Sequence, residues 1–350
     1  MRIIITTVQS PFIKGGAEEL AKGLCKALND AGHEADICAM PFRFFPPQAV
    51  KRSMDVWSSE DLAEINNYKV DRMIGLKFPA YLAPHPDKML WVLHQHRDVY
   101  DCADLKGDAS ARSPDWLQLQ KSVRAADERA FSESRQIYTI SQTVADRIDR
   151  HNGHNATALY HPPPNHSDFH CEAPLPYIFM PSRFEELKRQ ELLIEAMRKV
   201  KSPVKALLAG TGGQLPRMKR LVAEHGISDK VAFLGQISHR EKVAYYARSL
   251  GVFFGPHNED YGYVTLEAML SAKPVITCRD SGGPTEFVRH GETGTVCDPE
   301  PEAVADAIEN LYASRERAAR MGENGLEHYR DMDISWEKVV DRLTANQSDC

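Results

Sequence analysis

The chain has 350 residues, with 43 Lys and Arg against 49 Asp and Glu and a formal net charge of −6. That length fits about two domains, each large enough to bury its own core. The basic residues form no single block, which argues against a general nucleic-acid binder.

Strand and helix signals alternate along the chain, which predicts an α/β protein with parallel sheets covered by helices on both faces. Residues 3–8, running from Ile3 to Val8, read as a buried strand. A loop with Gly15 and Gly16 follows, then a helix over 17–31 with Leu20, Leu24, Ala27 and Leu28 at helical spacing. Gly32 is placed to end that helix in a left-handed cap. Residues 34–40 read as the second strand. Residues 42–52 mix Phe42, Phe44 and Phe45 with Arg43, Lys51 and Arg52 around two prolines. They are expected to form a loop, either with its rings packed back on the domain or in peripheral contact with a membrane surface. Strands are predicted near 73–76, 89–93 and 137–140, with a long helix over 115–131. Ser141 can cap a helix over 144–150.

Tyr160 to Asn165 contains three consecutive prolines, which remove backbone donors and hold the chain extended. A domain boundary is placed between Pro162 and Pro174, giving domains 1–165 and 166–330 and a tail 331–350. A second alternating series follows. Its strands are expected at 177–180, 204–208, 231–234, 252–254, 274–278 and 294–297. Its helices are expected at 191–200, 215–225, a capping box Ser238 to Glu241 opening a helix through Arg248, the helix that holds Glu267, and 302–313 as the last. The tail predicts one more amphipathic helix over 334–343, with Trp336.

The stretch Glu259 to Glu267, reading EDYGYVTLE, carries most of the chemistry. Glu259 falls in a loop after an apolar strand, and Glu267 in the first turns of the next helix. In an open α/β sheet the carboxyl edge of the strands is where ligands bind. A carboxylate there can accept the two hydroxyls of a ribose diol. The alternative is a solvated acidic loop with a Glu placed for the helix dipole. Four further features lie at strand ends. Gly15 and Gly16 open the first helix, where backbone N–H groups suit an anion. The three-glycine dinucleotide spacing is missing, which argues against a nicotinamide enzyme. Arg183 and Lys188 suit a diphosphate, one as a fork and one as a point charge. Gly210-Thr211-Gly212-Gly213 is a second anion-friendly turn, and Asp280 to Glu286 puts two glycines beside a carboxylate. His94 and His96 also end a strand, but no third ligand accompanies them and no metal site is expected.

The order GGAE, Arg183 with Lys188, AGTGG, EDYGYVTLEAM, SGGPTEFV and GETG resembles the retaining glycosyltransferases of family 4 across residues 2–312. The resemblance implies the GT-B fold, two facing Rossmann-like domains with a C-terminal helix crossing back to the first. It implies that Glu267 binds the nucleotide ribose, that Arg183 and Lys188 neutralise the donor diphosphate, and that Glu259 faces the donor sugar. Gly15, Gly16 and Gly210 would lie near the donor phosphates, and backbone groups of Asp260, Tyr261 and Gly262 would hold sugar and phosphate. His94 is the match for a histidine near the donor sugar, with His96 as its rival. The family usually has Gly and Phe where this chain has Asp260 and Tyr261.

The implied activity is metal-independent hexosyl transfer with retention to a glycan, glycolipid or small-molecule acceptor, in a setting such as polysaccharide biosynthesis. A UDP-hexose is the first donor expected and GDP-mannose the second. No cofactor is expected, the nucleotide sugar being a substrate, and no nucleic acid. The acceptor side falls to first-domain loops, including 42–52 and 100–114. The competing readings are a nucleotide-sugar epimerase of the same architecture and a non-catalytic nucleotide-binding module. The seven cysteines are scattered, with no pair two or three positions apart, which reads as reduced thiols in a cytosolic protein. No apolar run approaches the roughly 20 residues of a membrane helix, and no secretory signal is evident, so a cytoplasmic location is expected, at the inner face of the membrane if residues 42–52 make contact.

Overall fold

A computed structural model describes residues 1–12, 15–100 and 113–345. Ile13 and Lys14 of the first glycine loop, and 101–112 of the proposed acceptor loop, lie outside the described residues. The chain divides into two compact units, Met1–Pro164 with Ser335–Cys350, and Asn165–Ile334.

The first unit runs β1 (Arg2–Gln9), α1 (Gly16–Asp30), β2 (Glu34–Pro41), α2 (Pro47–Ser59), a short antiparallel ribbon of β3 (Glu64–Ile65) and β4 (Tyr68–Lys69), β5 (Arg72–Gly75), β6 (Lys88–Val92), α3 (Pro114–Ser132), β7 (Gln136–Thr139), α4 (Gln142–Asn152) and β8 (Thr157–Ala158). Its parallel sheet is ordered β2-β1-β5-β6-β7-β8. β5 and β6 are buried along their whole length, as strands covered on both faces must be. The Ser141 side chain accepts the Val144 N–H and caps α4.

Residues 47–59, partly read as loop from sequence, form α2, with Val50, Met54 and Trp57 on its buried face. The prolines mislead here. Pro47 sits in the first helical turn, where a missing N–H leaves no hydrogen bond unmade. Phe42 is buried against Phe44, Phe78 and His96, while Phe45 is 79% exposed.

The second unit runs β9 (Tyr177–Pro181), α5 (Gln190–Lys199), β10 (Lys205–Ala209), α6 (Leu215–Glu224), β11 (Val231–Gly235), α7 (His239–Arg248), β12 (Gly251–Phe253), α8 (Tyr263–Leu270), β13 (Val275–Cys278), the single turn α9 (Pro284–Phe287), β14 (Gly294–Cys297), α10 (Pro301–Ala313) and α11 (Arg315–Asp331). Its parallel sheet is ordered β11-β10-β9-β12-β13-β14. The Ser238–Glu241 capping box opens α7, each side chain meeting the other residue's backbone N–H.

The helical series does not end with α10, because α11 follows it. Its buried face is made of Ala318, Met321, Gly322, Gly325 and Tyr329, so it lacks the stripe of large apolar residues that marks a helix in sequence. Small residues serve because the backbones approach closely. A Cβ on Gly322 would sit 2.0 Å from the Ala272 carbonyl oxygen.

The chain then returns to the first unit as α12 (Trp336–Thr344). α12 packs on α1, where a Cβ on Gly23 would sit 2.4 Å from the Trp336 ring. The Trp336 ring also meets Trp91 edge-on, at 6.4 Å between centroids. Buried Arg72 donates to the Leu343 and Ala345 carbonyls at 2.9 and 3.1 Å, so the end of α12 is hydrogen-bonded as well as packed.

Candidate functional site

In the second sheet β10 and β11 lie on one side of β9, and β12, β13 and β14 on the other. Strand order therefore reverses between β9 and β12, and an open parallel sheet forms a ligand crevice outside the carboxyl ends at such a point. The segment after β9 carries Arg183 and a 3-10 turn, Glu186–Lys188. The segment after β12 carries Glu259, Asp260, Tyr261 and Gly262. Lys188 Nζ meets Glu259 Oε2 at 2.5 Å, with the side chains 19% and 21% exposed. The same Nζ lies 5.5 Å from the Phe254 ring centroid. Arg183 is exposed, and no ion pair involves it among the described residues.

Backbone contacts fix these loops. The Glu259 N–H donates to the Ser281 carbonyl and the Gly283 N–H to the Glu259 carbonyl, at 2.8 and 2.9 Å. Gly282 has a φ of +71°, and a Cβ there would lie 2.5 Å from the Glu259 carbonyl oxygen. Only glycine fits that backbone at that distance. Gly210 is forced in the same way. Its φ is +135°, and a Cβ would lie 2.2 Å from the Ser182 carbonyl oxygen, in the segment that carries Arg183. Arg189, in the left-handed region at φ +50°, locks the assembly. Its guanidinium makes a forked pair with Asp280 at 2.8 and 2.7 Å and donates to the Gly255 and Pro256 carbonyls at 2.8 and 2.6 Å. That charge holds the Asp280 carboxyl below its ordinary value, against the opposing effect of burial, with a further hydrogen bond to His257. Arg189 sits beside Lys188 in a charged run, and nothing in the spacing shows that Arg189 pairs with Asp280 and Lys188 with Glu259.

Glu267 lies on α8 but is 4% exposed. Its Oε1 accepts from Lys242 Nζ at 2.6 Å and its Oε2 from the Tyr246 hydroxyl at 2.8 Å. Burial pushes the Tyr246 hydroxyl pKa well up, with the Glu267 charge adding to it, so this phenol stays a donor. Lys242 and Tyr246 belong to no motif noticed in the sequence. Their one signal is a four-residue spacing on α7, which puts both on one helix face. Gly262 forms the N-cap of α8 at φ +90°, and no side chain caps that helix. The Tyr261 ring is buried, edge-on to Tyr263 and Phe287 at 5.6 and 5.5 Å. Asp260 is half-buried.

The remaining predicted residues lie in the first unit. Gly15 caps α1, and its N–H donates to the Glu18 carboxylate at 2.9 Å, with Gly16 exposed beside it. His94 is half-buried just past β6, with Nδ1 2.7 Å from the Gln95 carbonyl oxygen. That contact makes Nδ1 the protonated nitrogen of the neutral ring. His96 is 4% exposed among the rings of Phe42, Phe44, Phe78 and Trp116, so the structure buries it more deeply than half-buried His94.

Among the described residues no group of three or more His, Cys, Asp or Glu side chains is arranged to hold a metal ion, and no helix is long and apolar enough to cross a membrane. A cleft of about 520 Å³ beside α5 is lined by Glu185, Glu186, Glu191 and Glu195 against Arg189 and Arg217, an acidic balance unsuited to phosphate.

Residues 170–328 match the family described as glycosyl transferases group 1, and the second unit is a domain of that family. The human alpha-1,3/1,6-mannosyltransferase ALG2 is 35% identical over 105 residues, covering 30% of this chain and 25% of that protein. The GDP-mannose-dependent alpha-(1-6)-phosphatidylinositol monomannoside mannosyltransferase of Mycobacterium tuberculosis is 33% identical over 165 residues, covering 43% of this chain and 42% of that protein. The chain thus aligns with less than half the length of these curated relatives. Among solved structures, sucrose-phosphate synthase of Thermosynechococcus elongatus superposes with a TM-score of 0.79 at 18% identity, covering 98% of this chain and 97% of that one. Anabaena HepE in complex with UDP and glucose superposes at 0.71 with 17% identity, covering 98% of both. The architecture is GT-B, and each unit is a Rossmann-like parallel sheet with helices.

Proposed function

We propose that the protein is a retaining glycosyltransferase that moves a hexosyl group from a nucleotide-diphosphate sugar to a hydroxyl acceptor. The observation that carries this is the Lys188–Glu259 pair at the reversal point of a glycosyl transferases group 1 domain. It joins a cation for the diphosphate to a carboxylate for the sugar, at the sheet edge where a ligand docks. Arg183 adds a second cation, and the uncapped start of α8 turns its positive end toward the same edge. Glu267, oriented by its contacts with Lys242 and Tyr246, takes the ribose diol. In the second unit these groups stabilise the leaving diphosphate electrostatically as the bond from sugar C1 to phosphate oxygen breaks. The acceptor oxygen bonds to C1 on the same face, and its proton passes to the departing phosphate. In the first unit, the family resemblance is what gives Gly15, Gly16 and His94 a role toward the donor and the loops a role toward the acceptor.

GDP-mannose is named for the Mycobacterium tuberculosis relative, and Anabaena HepE was solved with UDP and glucose; a UDP-hexose is the first expectation here and GDP-mannose the second. Titration calorimetry with UDP and with GDP, each with and without magnesium, separates the two. Binding of one nucleotide, lost in Glu267→Ala, supports the reading. Binding of neither, in a folded protein, removes it.

A further inference from the structure

Among the described residues, the first unit holds one buried carboxylate that the proposed chemistry does not use. Asp127 on α3 is fully buried. Its Oδ1 accepts from the Tyr81 hydroxyl at 2.8 Å, and its Oδ2 from the Tyr100 hydroxyl at 2.8 Å and from Gln95 Nε2 at 3.2 Å. A buried charge persists only when it is paired or richly hydrogen-bonded, and three donors meet that need here. Two of the three come from one short segment. Gln95 and Tyr100 bracket the 3-10 turn Arg97–Val99 just past β6, so the carboxylate staples both ends of this turn to α3. Gln95 Nε2 also donates to Asn152 Oδ1 at 2.9 Å, which adds α4 to the clamp. With its side chain fixed twice, Gln95 presents its backbone carbonyl to His94 Nδ1 at 2.7 Å.

We propose that Asp127 is a positioning residue for His94: through Gln95 it sets the orientation of the imidazole and the tautomer with the proton on Nδ1. A histidine's second hydrogen bond decides which ring nitrogen faces a ligand, and a carbonyl held by a buried carboxylate is a stiff version of that device. Tyr81 supplies the internal contrast. It donates to the same carboxylate from a 3-10 turn, Ala80–Leu82, outside the His94 segment. A carboxylate that merely holds the core together would feel the loss of Tyr81 and of Gln95 alike.

The proposal rests on the transferase reading only for the use made of His94. Its direct test is the tautomer, read from long-range proton–nitrogen NMR correlations of histidine-labelled protein, with the His94 signals assigned by their absence in His94→Gln. Asp127→Asn and Gln95→Met are expected to move the His94 nitrogen shifts toward a tautomer mixture. Turnover should fall about 10-fold or more with donor KM within about twofold, the pattern of a misplaced group rather than a lost binding contact. Tyr81→Phe should lower the melting temperature and leave both readouts in place. Unchanged His94 signals in a folded Asp127→Asn or Gln95→Met protein would overturn the proposal, as would equal effects from Tyr81→Phe. Full turnover in His94→Gln would overturn the use of His94 and the proposal with it, while nucleotide titration continues to judge the donor site separately.

Discussion

Replacing Glu267 by Gln probes the proposed donor site with the least structural disturbance. The change keeps the side-chain volume and removes the charge. In the folded protein the carboxylate is 6% exposed, and its ion-pair partner Lys242 is 27% exposed. Lys242 can therefore turn toward water once the carboxylate is gone, whereas the Tyr246 hydroxyl still finds an amide oxygen. The stability loss should stay near 1–2 kcal/mol, below the 3–5 kcal/mol of a stranded buried charge. Binding should suffer more selectively. A hydrogen bond to a charged acceptor contributes about 1.5–3 kcal/mol, which weakens nucleotide binding roughly 10- to 150-fold at 1.4 kcal/mol per decade. Calorimetry with a nucleoside diphosphate and with its 2′,3′-dideoxy analogue isolates the ribose contact. The wild-type protein should prefer the natural nucleotide strongly, and Glu267→Gln should bind the two alike. Equal discrimination by both proteins would refute the reasoning, because the carboxylate would then not be reading the diol.

Other perturbations test separate parts of the structure. Lys188→Met should cut transfer about 10²-fold, on the scale of losing one preorganised donor to a departing anion, and near-normal product formation would remove Lys188 from the diphosphate. Gly282→Ala should lower the melting temperature by about 4 °C or more. The left-handed backbone alone costs roughly 1–2 kcal/mol for a residue with a Cβ, and the Glu259 carbonyl clash adds to it. An unshifted melting curve would mean that the two loops are not locked as described. Burial raises Asp127 to about 6 from its ordinary 3.8, although its hydrogen bonds to Tyr100, Tyr81 and Gln95 oppose the shift. Because the folded state then holds the proton more tightly, this contribution to stability is complete below about pH 4 and is lost as pH rises through about 6. The shift corresponds to roughly 3 kcal/mol. Asp127→Asn should flatten that part of the stability-versus-pH curve, and an unchanged slope would place the titration elsewhere.

Much of the fold is legible because burial on both faces of a parallel sheet demands apolar runs such as Ile3 to Val8, and because amphipathic helices announce themselves by period. α1, α3 and α7 have apolar stripes or capping residues that any chain of this pattern must satisfy. α2 and α11 escape for opposite reasons. α2 begins in prolines that read as breakers until the first-turn position is known. α11 packs through Gly322 and Gly325, whose value lies in the absence of a side chain. The candidate site divides in the same way. Glu259, Lys188 and Glu267 stand out as ionisable groups at strand ends and a helix start, a property of chain order.

Residue order along the chain determined the alternating α/β plan, the carboxyl-edge loops and the chemical types gathered there, since these follow from local period, turn chemistry and charge. Only the tertiary structure decided which charges meet. It paired Lys188 with Glu259 while giving neighbouring Arg189 to Asp280, supplied Glu267 with Lys242 and Tyr246 from another helix, and buried His96 while leaving His94 half-open. Pairing over 25 to 91 residues of chain depends on strand order and on which helix covers which face. Those are set by the packing of the whole unit, so no local pattern records them.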